Sequence, residues 1–68
     1  MPLAKTLGSN IRRVRKERGL SQEALAHEVK LAVTYVGQVE RGLRNPTLKV
    51  VERFAKALGV KPLDLLQP

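Results

Sequence analysis

The chain has 68 residues, with 13 Lys and Arg against 6 Asp and Glu, a formal net charge of +7. That length accommodates one domain, and with no Cys and a single His (His27) it has no means of building a disulfide framework, a zinc finger or a cysteine nucleophile. An apolar fraction of 43% is that of a folded chain, while aromatic residues at 3% argue against a β-rich core or a set of base-stacking platforms.

The first predicted helix runs from Leu3 to about Arg18. Leu3, Leu7, Ile11 and Val14 recur at helical spacing and form its apolar stripe, with Lys5, Arg12, Arg13, Arg15, Lys16 and Arg18 on the other faces. Gly19 ends it, as a C-terminal glycine does. Ser21 is the expected cap of a second helix, Gln22 to about Val29, although Ala24 replaces the acidic residue of a full capping box. Its inward face is Leu25, Ala26 and Val29.

A three-residue link, Lys30-Leu31-Ala32, leads to a third helix from Val33 to about Arg41 that buries Val36 and Val39 and stops at Gly42. After the loop Leu43-Arg44-Asn45-Pro46, Thr47 caps a fourth helix. It runs to Leu58, with Leu48, Val51, Phe54, Ala55 and Leu58 on one side and Gly59 at its end. Lys61-Pro62 opens a last helical turn, because Pro fits the first position of a helix. In that turn Leu63 and Leu66 are expected to face inward and Leu65 outward. No strand alternation or repeat is visible, so the expected fold is all-α: five helices in one domain over residues 1–68, with a helix-turn-helix at about 22–41.

Three segments carry a specific resemblance. Gly19-Leu20-Ser21-Gln22-Glu23-Ala24-Leu25-Ala26 matches the "GLSQEELA" opening of the Cro/phage-repressor (XRE) helix-turn-helix family. Tyr35 to Leu48 resembles the family's "YISxIERGxRNPSL", and Ala55-Lys56-Ala57-Leu58-Gly59-Val60 its "AKALGV". All three lie at the family's spacing, and the similarity extends over about Leu7 to Leu66.

The resemblance implies a lambda-repressor-like fold and a sequence-specific, double-stranded DNA-binding regulator that acts as a dimer on a roughly palindromic operator. Carried over position by position, the base-reading face is Ala32, Val33, Thr34, Gly37 and Gln38. Gln38 is suited to an adenine edge, and Val33 to a thymine C5-methyl group. The expected phosphate contacts come from Gln22, Tyr35, Arg44 and Asn45, groups that position the protein without reading sequence. Arg15 and Glu40 occupy positions that form a structural ion pair between the first and third helices. Two departures stand out. Relatives carry Gly where this chain has Lys30, and Ser or Thr where it has Ala32.

Other readings of the same residues are weaker. His27 lies on the outer side of its helix with no companion ligands, so no metal is expected. The basic first helix has the two faces of a membrane-surface helix, but it lacks Trp and Phe and its stripe is needed as core, so no membrane partner is expected. Glu40 has no second carboxylate or nucleophile beside it for acid–base work, so neither enzymatic activity nor a cofactor is expected. Arg12, Arg13 and Lys16 supply long-range attraction to a polyanion. Leu65, with Phe54 or Val50, is the candidate dimer patch.

The N-terminus, Met1 to Leu7, has no long apolar run of the kind a signal peptide needs, which leads to an expected cytoplasmic, nucleoid-associated location. A competing function keeps the fold as an antitoxin or protein-interaction module with weak or partner-dependent DNA binding. Among regulators, phage or chromosomal repressor and restriction-modification controller are equally compatible with the sequence.

Overall fold

Capping and glycine chemistry divide the chain into α1 (Leu3–Glu17), α2 (Gln22–Val29), α3 (Val33–Glu40), α4 (Leu48–Leu58) and α5 (Pro62–Leu66), with no strand among the described residues. The structure, a computed structural model, describes residues 3–68; Met1 and Pro2, where the expected domain span begins, lie outside the described residues. Ser21 Oγ accepts the Ala24 N–H at 3.0 Å and Thr47 Oγ1 accepts the Val50 N–H at 3.2 Å, so α2 and α4 start on side-chain caps. Gly59 ends α4 in the left-handed region, its backbone N–H returning to the Ala55 and Lys56 carbonyls.

Helix α1 packs on α3 and α5, α2 packs on α3 and α4, and α4 closes against α5. The core between them contains Leu7, Ile11, Leu25, Val36, Val39 and Phe54, with Phe54 its largest fully buried side chain. One glycine sets the closest helix approach. A Cβ on Gly8 would lie 2.2 Å from the Val39 carbonyl oxygen and 2.7 Å from that of Glu40. Only a residue without a side chain lets α1 touch the backbone of α3 there.

Several inward and outward assignments are corrected. Leu65, expected to face outward in a dimer patch, is fully buried, whereas Leu63 is 60% exposed. The reason lies on α1: Asn10 Nδ2 donates to the carbonyls of Leu65 (2.9 Å) and Gln67 (2.7 Å), which fixes the roll of a five-residue helix that sequence spacing alone leaves free. Phe54, the second dimer candidate, is also completely enclosed, because α4 turns its row Val51, Phe54, Ala55 and Leu58 into the core. Val50 remains half-buried and keeps some surface. Leu48 and Leu3, each at the first turn of its helix, project past the core and are exposed.

The link between α2 and α3 bears the strain of the two sequence departures. Lys30 takes φ 59° and ψ 45°, the left-handed conformation in which its Cβ is crowded, and it is the only non-Gly residue at positive φ among those described. The Leu31 N–H closes the end of α2 by bonding the Ala26 carbonyl at 3.0 Å. Ala32 starts α3 with no side-chain cap bond.

A buried charge pair joins α1 to α3. Arg15 Nε donates to Glu40 Oε2 at 2.6 Å and Arg15 Nη2 to Glu40 Oε1 at 3.0 Å, a bidentate fork with the carboxylate fully enclosed. Arg15 Nη1 donates to the Leu20 carbonyl at 2.8 Å, and Gln22 Nε2 donates to Glu40 Oε1 at 3.0 Å. The pair therefore ties α1, the α1–α2 loop, α2 and the end of α3 together.

Two stability measurements check these readings. Glu40→Ala leaves the Arg15 guanidinium buried without its carboxylate and should cost about 3–5 kcal/mol, much of the stability of so small a chain; Arg15→Met with Glu40→Leu should recover most of that loss. A double variant that unfolds in urea no later than Glu40→Ala would contradict the ion-pair reading. Lys30→Gly removes the left-handed strain, partly offset by a more flexible unfolded chain, and should raise the unfolding free energy by roughly 0.5–1 kcal/mol at unchanged m-value.

Candidate nucleic-acid interface

Three successive exposed side chains, Ala32, Val33 and Thr34, form the leading edge of α3. Val33 is 40% exposed despite being a large aliphatic residue, so its methyl groups are available to an outside apolar partner. The opposite side of the helix is occupied by Val36, Val39 and Glu40, which are buried. An eight-residue helix is about 12 Å long, and DNA's major groove is about 12 Å wide, so α3 presents one short edge that such a groove can take.

Gly37, expected on this reading face, is buried. The amide of Gln22 covers it: a Cβ at Gly37 would stand 3.6 Å from Gln22 Oε1, ordinary contact. Gly37 is thus covered by Gln22 and offers no side chain to a base, although the space there would admit a Cβ. Gln22 in turn has one Nε2 hydrogen committed to Glu40, so its amide is locked at the start of α2. The same Glu40 carboxylate thus orients α3 and the side chain expected to meet phosphate.

Tyr35, Gln38 and Arg44 form a surface group. The Arg44 guanidinium lies over the Tyr35 ring, 5.0 Å from its centroid, and Arg44 Nη1 donates to Gln38 Oε1 at 3.1 Å. Asn45 follows on the exposed loop. The backbone brings the loop back: the Gly42 N–H bonds the Val39 carbonyl at 3.0 Å and the Leu43 N–H the Gln38 carbonyl at 2.9 Å, so Arg44 returns over the last turn of α3.

Arg53 on α4 is a contributor that sequence reasoning missed. Its Nη2 donates to the Val29 carbonyl and, at 3.3 Å, to that of Lys30. A guanidinium there meets the negative end of the α2 dipole and holds the turn that precedes α3. The one signal for it in the sequence is indirect, since a non-Gly residue at position 30 calls for support from outside the turn. His27 is exposed on α2, and no group of three or more possible metal ligands is present among the described residues.

Known proteins share this fold. The family model described as Helix-turn-helix (HTH_3) matches residues 11–65. The control protein C.BamHI of Bacillus amyloliquefaciens is 47% identical over 60 residues, which are 87% of this chain and 74% of that protein. The crystal structure of the restriction-modification controller C.AhdI from Aeromonas hydrophila superimposes with a TM-score of 0.87 at 42% identity, covering 91% of this chain and 94% of that one. A second controller, C.Esp1396I, whose tetramer was crystallised with its natural 35-base-pair operator, matches with a TM-score of 0.85 at 34% identity over 96% of this chain and 86% of its own. The chain belongs to the HTH_3 helix-turn-helix family.

Proposed function

We propose that the chain is a transcriptional regulator that binds double-stranded DNA, inserting α3 in the major groove and repressing by occupying its operator. The observation that carries this reading is the exposed first turn of α3, Ala32-Val33-Thr34, on a helix whose other side is fixed in the core by the Arg15–Glu40 fork. Val33 and Thr34 supply apolar and hydroxyl contacts to base edges, and Gln38 an amide. Gln22 at the start of α2 and Asn45 after α3 hold phosphates, with the excess positive charge raising the rate of encounter. C.Esp1396I, which shares the fold, was crystallised on an operator as a tetramer.

A two-fold dimer places the two α3 helices one DNA turn apart, about 34 Å, and calls for a roughly palindromic operator. With Leu65 and Phe54 enclosed, exposed Leu63 and half-buried Val50 supply the apolar surface for such a contact. Catalysis has no part in this function. Glu40, the one buried carboxylate among the described residues, has both oxygens engaged by Arg15 and Gln22. No cofactor is needed for occupancy. Such a regulator works in the cytoplasm, at the nucleoid; separately, no helix among the described residues is long and apolar enough to cross a membrane.

The test is a titration of a selected duplex against random duplex at two salt concentrations. A dimer making 6–10 phosphate contacts should lose about 10³–10⁵ in affinity between 50 and 200 mM salt while keeping its preference for the selected site. A selected site bound no tighter than random DNA would contradict the regulator reading and favour a protein-interaction module on the same fold.

A further inference from the structure

A glutamine amide left to itself offers one acceptor and one donor group, the complement of adenine's N6 amino group and N7. Gln38 is not left to itself. Its Oε1 accepts from Arg44 Nη1 at 3.1 Å, so the group it still offers outward is the Nε2 amino donor. Arg44 has five N–H donors and no acceptor, and it spends one of them on Gln38. The two side chains together therefore present donors, with a single lone pair left on Gln38 Oε1.

The guanidinium is also held in place. It lies 5.0 Å from the centroid of the Tyr35 ring, a cation–π contact, and Tyr35 and Gln38 are neighbours one turn apart on α3. The Leu43 N–H bond to the Gln38 carbonyl folds the loop so that Arg44 reaches this place.

Of the base edges in the major groove, guanine alone presents two acceptors side by side, O6 and N7, with no donor on the same base. Adenine brings its N6 amino group, which would meet donors and a positive charge. A second lone pair on Gln38 Oε1 remains, but an N–H donor approaching it runs against the neighbouring guanidinium. We propose that Arg44, held on Tyr35, positions the Gln38 amide as a donor, so that the pair reads guanine and rejects adenine. This rests on the DNA-binding function proposed above. It also departs from the adenine contact that Gln38 suggests when read alone.

The experiment is selection from a randomised duplex library by the unmodified chain and by Gln38→Ala, Arg44→Ala and Tyr35→Leu, with circular dichroism confirming that each variant keeps its helices. Gln38→Ala identifies the base position by losing preference there. At that position the unmodified protein should select guanine. Arg44→Ala should shift the guanine-to-adenine ratio toward adenine by about tenfold or more, the size of one bidentate contact. Tyr35→Leu should give a smaller shift in the same direction.

A base preference unchanged by Arg44→Ala, with affinity lowered equally for all sequences, would overturn the proposal and reduce Arg44 to a phosphate contact. Selection of adenine at that position by the unmodified chain would overturn it as well. Enrichment of no sequence by the unmodified protein would overturn the DNA-reading function itself and this proposal with it.

Discussion

Taking an arginine and a glutamate out of water costs several kcal/mol for each ion, and the pair is sustained only where geometry and further hydrogen bonds recover that cost. Arg15 and Glu40 meet both conditions. The guanidinium forks onto both carboxylate oxygens, its third contact goes to the Leu20 carbonyl, and Gln22 adds another donor to Glu40. Among the described residues no buried side-chain nitrogen or oxygen is left without a partner. Because Glu40 is the last residue of α3, this one site fixes the angle at which that helix leaves the core. Gly8, whose missing side chain admits the backbone of Val39 and Glu40, makes the approach possible.

The turn before α3 is supported from outside. Lys30 sits in a backbone region that favours glycine, and Ala32 gives α3 no side-chain cap. Taken locally, these two residues weaken the motif. Arg53 compensates by reaching from α4 to the carbonyls at the end of α2. The position of Ala32, Val33 and Thr34 consequently depends on a residue more than one helix away, and that dependence joins the stability of the fold to the shape of its exposed edge.

The helices, their caps at Ser21 and Thr47 and their glycine stops were legible in the sequence because each rests on short-range chemistry. What was not legible depended on long-range choices. Apolar spacing in a five-residue helix cannot say whether Leu63 or Leu65 faces the core; Asn10, 55 residues from Leu65, decides it. Phe54 has the composition of an interface residue, yet the packing of α4 encloses it. The exposed run at the start of α3 was legible in outline, but Gly37, expected beside it, is buried because the Gln22 side chain that covers it comes from another helix. Gln38 likewise looks like a free amide until the loop places Arg44 beside it.

Charge has thereby been sorted by task. Arg15 is consumed in the core, Arg53 holds the turn, Arg44 lies on Tyr35 beside Gln38, Arg13 pairs with Glu17 on the surface of α1, and Arg12 and Lys16 are exposed. In the proposed function α3, fixed by the Arg15–Glu40 fork, is the element that enters DNA. That role is tested most directly by following the backbone amide signals of the isotope-labelled protein by NMR as operator duplex is added. Perturbations concentrated from Ala32 to Asn45, with contacts between the Val33 methyl groups and major-groove protons, are the predicted result. Perturbations confined to α4 and α5, with α3 unchanged at saturation, would contradict it.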